Sequence, residues 1–248
     1  NNNTIEAIEV DIIYSEVKSQ AVMGHPPSID SDLTLSSFFQ QLREVNFQHR
    51  YSGNRQTECP VLKLDFKSMT ALQSSLADVK SYLTHLPPYL YKRVWINADI
   101  LSGPGEDLND ELAQKKMQPK FDANEFLNVV TSQLGPLVLS IGWTTASTNV
   151  NAVYKNEMVD EMISCAEPYT EVTFPVRGSC FRESWQILQK LYQKDRNWTV
   201  TLWWSDVLST EEFDWIYNTL ERDGEFANRT YYDLAGFRSY LSDCHIME

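Results

Sequence analysis

An α/β protein of the TIM-like (β/α) barrel class, in a single domain over residues 1–248, is what this sequence predicts. Three observations lead there. Residues 61–68, VLKLDFKS, alternate with period two, with Leu62, Leu64 and Phe66 on one face and Lys63, Asp65 and Lys67 on the other. Further strand-like stretches carry acids, amides, Trp or Arg in the same rhythm. Each is followed by a helical pattern long enough for the crossover of about a dozen residues that parallel strands require. An open doubly wound sheet is covered on both faces and reads as continuous apolar runs, whereas inward polar residues on nearly every strand suit a barrel with a polar mouth. Lys63, Asp65 and Lys67 are therefore read as pointing into the barrel, with Leu62, Leu64 and Phe66 packed under helices.

The elements follow in order. Residues 5–15, IEAIEVDIIYS, form a strand with Glu9 and Asp11 on one face and Ile8, Val10 and Ile12 on the other. Residues 22–27, VMGHPP, end in a rigid double proline. Leu35, Phe38, Phe39 and Leu42 give residues 32–45 helical spacing, and residues 48–60 are a polar loop. After the strand at 61–68, a helix over 70–86 stops at Pro87 and Pro88. Residues 93–101, RVWINADIL, place Trp95, Asn97 and Asp99 on one face of the next strand. The polar loop at 102–120 is longer than most connections.

A helix over 122–134 leads to a buried strand at 137–145, and a helix over 151–166 leads to the strand at 172–179. There Arg177 lies near the end, and Pro175 argues against a regular central strand. Ile187, Leu188, Leu191 and Tyr192 mark one stripe of a helix over 183–194. Residues 199–206, TVTLWWSD, are a strand. Ser209 and Glu212 fit a capping box that opens a helix carrying Phe213, Ile216, Tyr217 and Leu220. A short strand at 230–234 and a terminal helix complete seven strands alternating with helices.

Composition narrows the function. Lys and Arg number 21 against 34 Asp and Glu, a net charge of −13 with no basic run. That argues against nucleic acid and against anionic lipid as partners. A hydrophobic content of 42% excludes a disordered chain, and no run of 18 apolar residues is present to span a membrane. Sequons begin at Asn2, Asn197 and Asn228. Cys59, Cys165, Cys180 and Cys244 are even in number and none has metal-ligand spacing. Sequons and cysteines together point to an extracellular protein, secreted or an ectodomain, with two disulfides. Four unrelated thiols are the alternative.

Glu9, Asp11 and Asp65 are the sharpest constellation. Three carboxylates meeting at one mouth repel, and a hard divalent cation such as Mg²⁺ or Ca²⁺ relieves them through oxygen-only ligands. Ion pairs with Lys63 and Lys67 are the other way to balance them. Lys67 is alternatively a point charge for a substrate phosphate, and His25, just past the acids, is a candidate general acid or base. Asn97 and Asp99 are candidates to support the ligands from behind. Arg177 is either a phosphate clamp or a salt-bridge partner inside the barrel. Trp143 and Trp203 are either pocket walls or packing.

The segments IEVDI, GHPP, KLDFKS, WINADILSGP, GWTT, FPVR and TLWW, in this order, with YYDL at residues 231–234, resemble the menorin family. That family is in turn similar to the phospholipase C-like, glycerophosphodiester phosphodiesterase-type barrels. The resemblance implies that Glu9, Asp11 and Asp65 match metal ligands, that His25 matches one of an acid–base pair of histidines, and that Lys67 matches an active-site lysine. It also places a first barrel strand, with the other histidine, before Ile5. The third-strand acid is Asp here, where the superfamily more usually has Glu, which shortens its reach. Family membership implies a role in neuronal dendrite patterning within an extracellular complex of cell-adhesion and receptor proteins. A metal-dependent phosphodiesterase is the alternative.

Overall fold

The computed structural model describes residues 6–45, 60–104, 118–145, 152–222 and 224–244. The chain forms two compact units, Asn1–Ile100 with Lys120–Ser140, and Leu101–Pro119 with Ile141–Glu248.

The first unit holds β1 (Ala7–Ser15), β2 (Gln20–Met23), α1 (Leu35–Glu44), β3 (Val61–Phe66), α2 (Met69–Leu83) and α3 (Ala123–Leu134), with most of β4 (Val94–Ser102) and the start of β5 (Val138–Thr144). β1 runs parallel to β3, and β3 parallel to β4. β2 is the exception. It folds back on β1 antiparallel, with Ile12 opposite Met23 and Ser15 opposite Gln20. The expected seven strands are therefore eight among the described residues. In β2, Ala21 and Val22 are buried side by side, and four residues are too few to show a period.

Polar caps set the helix starts where the chain changes period. Thr34 accepts from the Ser37 N–H at 3.1 Å, Ser68 from Ala71 at 3.2 Å and Asp122 from Glu125 at 2.9 Å. Leu62, Leu64 and Phe66 are sealed on one face of β3, and α2 packs against that strand. Phe39 of α1 stacks on Tyr82 of α2 with centroids 4.5 Å apart. The opposite face is layered. Val61, Trp95 and Val138 form an apolar layer where β3, β4 and β5 begin. Further along come Lys63, Asp65, Asn97 and Ser140, all buried although polar.

The second unit continues with α4 (Asn156–Ala166), β6 (Val172–Arg177), α5 (Trp185–Lys194), β7 (Thr199–Trp204), α6 (Thr210–Tyr217), β8 (Thr230–Leu234) and α7 (Phe237–Asp243). β6, β7 and β8 are parallel neighbours. Pro175 lies inside β6 aligned with Thr201, so the expectation of an irregular strand there is corrected. β6 instead ends at Arg177, where a 3-10 turn over Gly178–Cys180 takes over. Ser209 caps α6 through the Glu212 N–H at 3.2 Å, as the capping box requires. Trp143, Phe174 and Trp198 form an aromatic spine, with centroids 6.4 Å and 5.2 Å apart along it.

Gly103 follows β4 where the backbone meets Trp143 and Thr144. A Cβ there would land on the Trp143 Cβ and the Thr144 carbonyl oxygen. Backbone and a buried ring root cannot yield cheaply. Gly103→Ala is expected to destabilise by roughly 1–3 kcal/mol, read from a urea midpoint.

Candidate functional site

Strand register assembles a cluster of charges in the first unit. The parallel pairing of β1 with β3 sets Glu9 beside Lys63 and Asp11 beside Asp65, and β3 with β4 sets Asp65 beside Asn97. Glu9, Asp11 and Asp65 each offer an oxygen, and these three atoms lie within 4.8 Å of one another. Left bare, they would repel strongly. Lys67 stands just past the end of β3, its N–H bonded to the Ile12 carbonyl at 2.9 Å. Its Nζ is 2.7 Å from Asp11 Oδ1 and 2.5 Å from Asp65 Oδ2. Lys63 Nζ is 2.9 Å from Glu9 Oε2. Burial works against the Lys67 ammonium, but the Asp65 and Asp11 carboxylates outweigh it and hold its pKa above the usual lysine value.

The cluster is graded in burial. Lys63 and Asp65 are 7% and 8% exposed, Asp11 is half-buried, and Glu9 is exposed. Solvent reaches the cluster at Glu9. Three carboxylates are an oxygen-only donor set of the kind hard divalent cations take, so the residues present fit Mg²⁺ or Ca²⁺. The two lysines show that the same acids are also balanced by ion pairs.

Asp99 lies two residues beyond Asn97. Surrounding protein, then the Asp65 carboxylate, push its pKa up to about 7; Lys67 and Lys63 oppose this and Glu9 adds to it. The side chain is nevertheless exposed in β4, and water contact favours an ordinary acid and screens the shift. The Asp65 and Glu9 carboxylates act against the anion, and solvent damps their effect. Its folded pKa stands above the unfolded value of about 3.9, so the native state binds the extra proton in between. Stability should fall slightly as pH rises from about 4 to about 7 and then level off, the effect kept small by solvent screening of an exposed group. Asp99→Asn should flatten that slope in a series of thermal melts.

The other predicted residues are less uniform. Asn97 is 3% exposed, and its Oδ1 accepts from Ser140 Oγ at 2.6 Å, a partner that strand parity alone did not reveal. His25 is exposed, in the loop after β2. Gly24 N–H bonds the Asp11 carbonyl at 2.9 Å, which ties that loop to the acid strand. His25 Nδ1 is 2.5 Å from the Pro26 carbonyl; a carbonyl only accepts, so Nδ1–H is the donor in that contact.

Trp143, Arg177 and Trp203 belong to the second unit. Trp143 is a core side chain, 2% exposed, whose Nε1–H donates to the Met158 carbonyl at 3.3 Å. Arg177 is fully buried. Its Nε–H donates to Ser179 Oγ at 2.7 Å, and its guanidinium lies 4.3 Å from the centroid of Trp204. Trp204 rather than Trp203 thus carries that contact. Successive side chains of β7 point to opposite faces, and the packing shows which of the two tryptophans Arg177 reaches.

Asn197 and Asn228 are exposed, while Asn2 lies outside the described residues. Cys165, Cys180 and Cys244 are free thiols, half-buried, buried and exposed respectively. Cys59 lies outside the described residues. Two disulfides need all four cysteines, so that expectation is corrected, and the cysteines no longer argue for an oxidising compartment. No helix among the described residues is long and apolar enough to cross a membrane.

Comparison with known proteins agrees with this architecture. A crystal structure of a glycerophosphoryl diester phosphodiesterase from Parabacteroides distasonis is similar over 95% of this chain and 75% of that one. The TM-score is 0.50 at 12% identity, a likeness of fold. The fold is accordingly α/β and TIM-like. The human protein FAM151B is 32% identical over 240 residues, covering 94% of this chain and 75% of its own length. Residues 2–237 match the profile of the Menorin N-terminal domain, and the chain belongs to the menorin family.

Proposed function

We propose that Glu9, Asp11 and Asp65 bind a divalent cation, Mg²⁺ or Ca²⁺, and that this site acts on a phosphodiester such as a glycerophosphodiester. The convergence of the three carboxylates within 4.8 Å, from two adjacent parallel strands, carries the reading. The activity named for the structural neighbour supports the choice of a phosphodiester. A cation held there supplies positive charge to polarise a phosphoryl oxygen. Lys67 lies against the same acids and steadies negative charge on the phosphoryl group. His25 presents Nε2 to take a proton.

The test is a thermal melt with Mg²⁺, Ca²⁺ or EDTA, alongside a glycerophosphodiester hydrolysis assay. Cation at 100 times its dissociation constant is expected to stabilise by about 2.7 kcal/mol, and Asp65→Asn to lose both that shift and hydrolysis. Identical melts of the unaltered chain in cation and in EDTA would sink the proposal.

A second reading, supported by family membership and by the exposed Asn197 and Asn228, is a component of an extracellular adhesion and receptor complex in dendrite patterning. Expressed through a secretory pathway, the chain should lose mass on endoglycosidase treatment. Asn197→Gln and Asn228→Gln together should remove most of that loss. A secreted chain with no glycan would count against it.

A further inference from the structure

We infer that Lys63 competes with the divalent cation for Glu9 and so sets how tightly the site holds it. The inference rests on the reading of Glu9, Asp11 and Asp65 as a cation site. Lys63 and Glu9 face each other across β3 and β1 in the parallel register, and their charged atoms are 2.9 Å apart. Their surroundings are unequal. The Lys63 side chain is 9% exposed and that of Glu9 39%. Lys63 follows the apolar layer of Val61, Trp95 and Val138 and belongs to a buried strand. An ammonium placed there is costly unless an acid faces it.

Glu9 is therefore the movable member. It stays on Lys63 through Oε2, or swings to a cation. Charge count gives the same answer. Three carboxylates face two ammonium groups, which leaves one negative charge among these five side chains. A divalent cation entering while both lysines stay charged turns that balance positive. Without Lys63 the same group is neutral with the cation bound. Lys67 meets the other two acids, Asp11 and Asp65, so Lys63 is the ammonium that bears on Glu9.

The experiment is isothermal titration of Mg²⁺ and of Ca²⁺ into the chain, into Lys63→Met and into Lys63→Arg, with melts in EDTA. Removing one nearby positive charge should tighten binding by roughly tenfold or more. Lys63→Arg should bind like the unaltered chain. In EDTA, Lys63→Met should melt lower than the unaltered chain, and saturating cation should close the gap. Lys63→Gln keeps a donor for Glu9 without the charge; it should show the same gain and replaces Lys63→Met if that variant fails to fold. Adding Glu9→Gln to either variant should abolish the gain. Equal affinity in the unaltered chain and Lys63→Met overturns the competition and leaves the cation site standing. A gain in Lys63→Arg as large as in Lys63→Met also overturns it, since shape rather than charge would be responsible. Binding by none of the proteins overturns the cation site and this inference with it.

Discussion

Lys67→Met is expected to cost about 3 kcal/mol of folding stability in EDTA, the lower end of the range for losing one partner of a buried ion pair. Lys67 Nζ separates Asp11 from Asp65, with side-chain exposures of 20%, 34% and 11% for the three. Removing the ammonium leaves two facing carboxylates, one of them buried, with their counter-charge gone. Partial solvent access keeps the cost at the low end. The same substitution should make stability depend more on Mg²⁺ or Ca²⁺, because a cation becomes the remaining way to relieve Asp11 and Asp65. Urea midpoints in EDTA and in cation measure both effects. A variant as stable as the unaltered chain in EDTA would mean that Lys67 is not what keeps the acids together.

Trp143→Ala is expected to cost about 3–5 kcal/mol, the range for emptying a core aromatic site. The indole meets Tyr154 edge-on at 5.2 Å and Phe174 at 6.4 Å, and it supplies the donor for the Met158 carbonyl. Alanine leaves a cavity and removes the indole's hydrogen bond to the helix. Trp143→Phe keeps a ring in the site and loses the donor, so a smaller cost of about 1–3 kcal/mol is expected. Equilibrium unfolding of the two variants separates packing from hydrogen bonding. A small effect from alanine would return Trp143 to the role of a pocket wall.

Most strands were legible because period two survives where one face is apolar and the other polar. Residues 61–68 read as a strand, and β3 spans Val61–Phe66 with Leu62, Leu64 and Phe66 sealed. Helix starts were legible where a capping side chain announces them, as at Asp122 and Ser209. β2 was not, because its pairing with β1 comes from a turn rather than from any period of its own. The free state of Cys180 was not legible either, since its burial is a property of the packed chain. For His25 the motif gave the position in a loop, while the carbonyl that accepts a hydrogen bond from its Nδ1 belongs to local backbone geometry.

From the sequence alone came the fold class, the polar face of β1, β3 and β4, and the set of acids and lysines that share it. Alternation requires that much, because successive side chains of a strand point to opposite faces. Which acid meets which lysine was decided by the tertiary structure. Glu9 and Lys63 are 54 residues apart and become neighbours only through the register of β1 against β3. A slip of one residue would turn one strand's charges to the other face, and a slip of two would pair different charges. Burial of the apolar face against helices holds the register that seats Lys63 on Glu9 and Lys67 between Asp11 and Asp65.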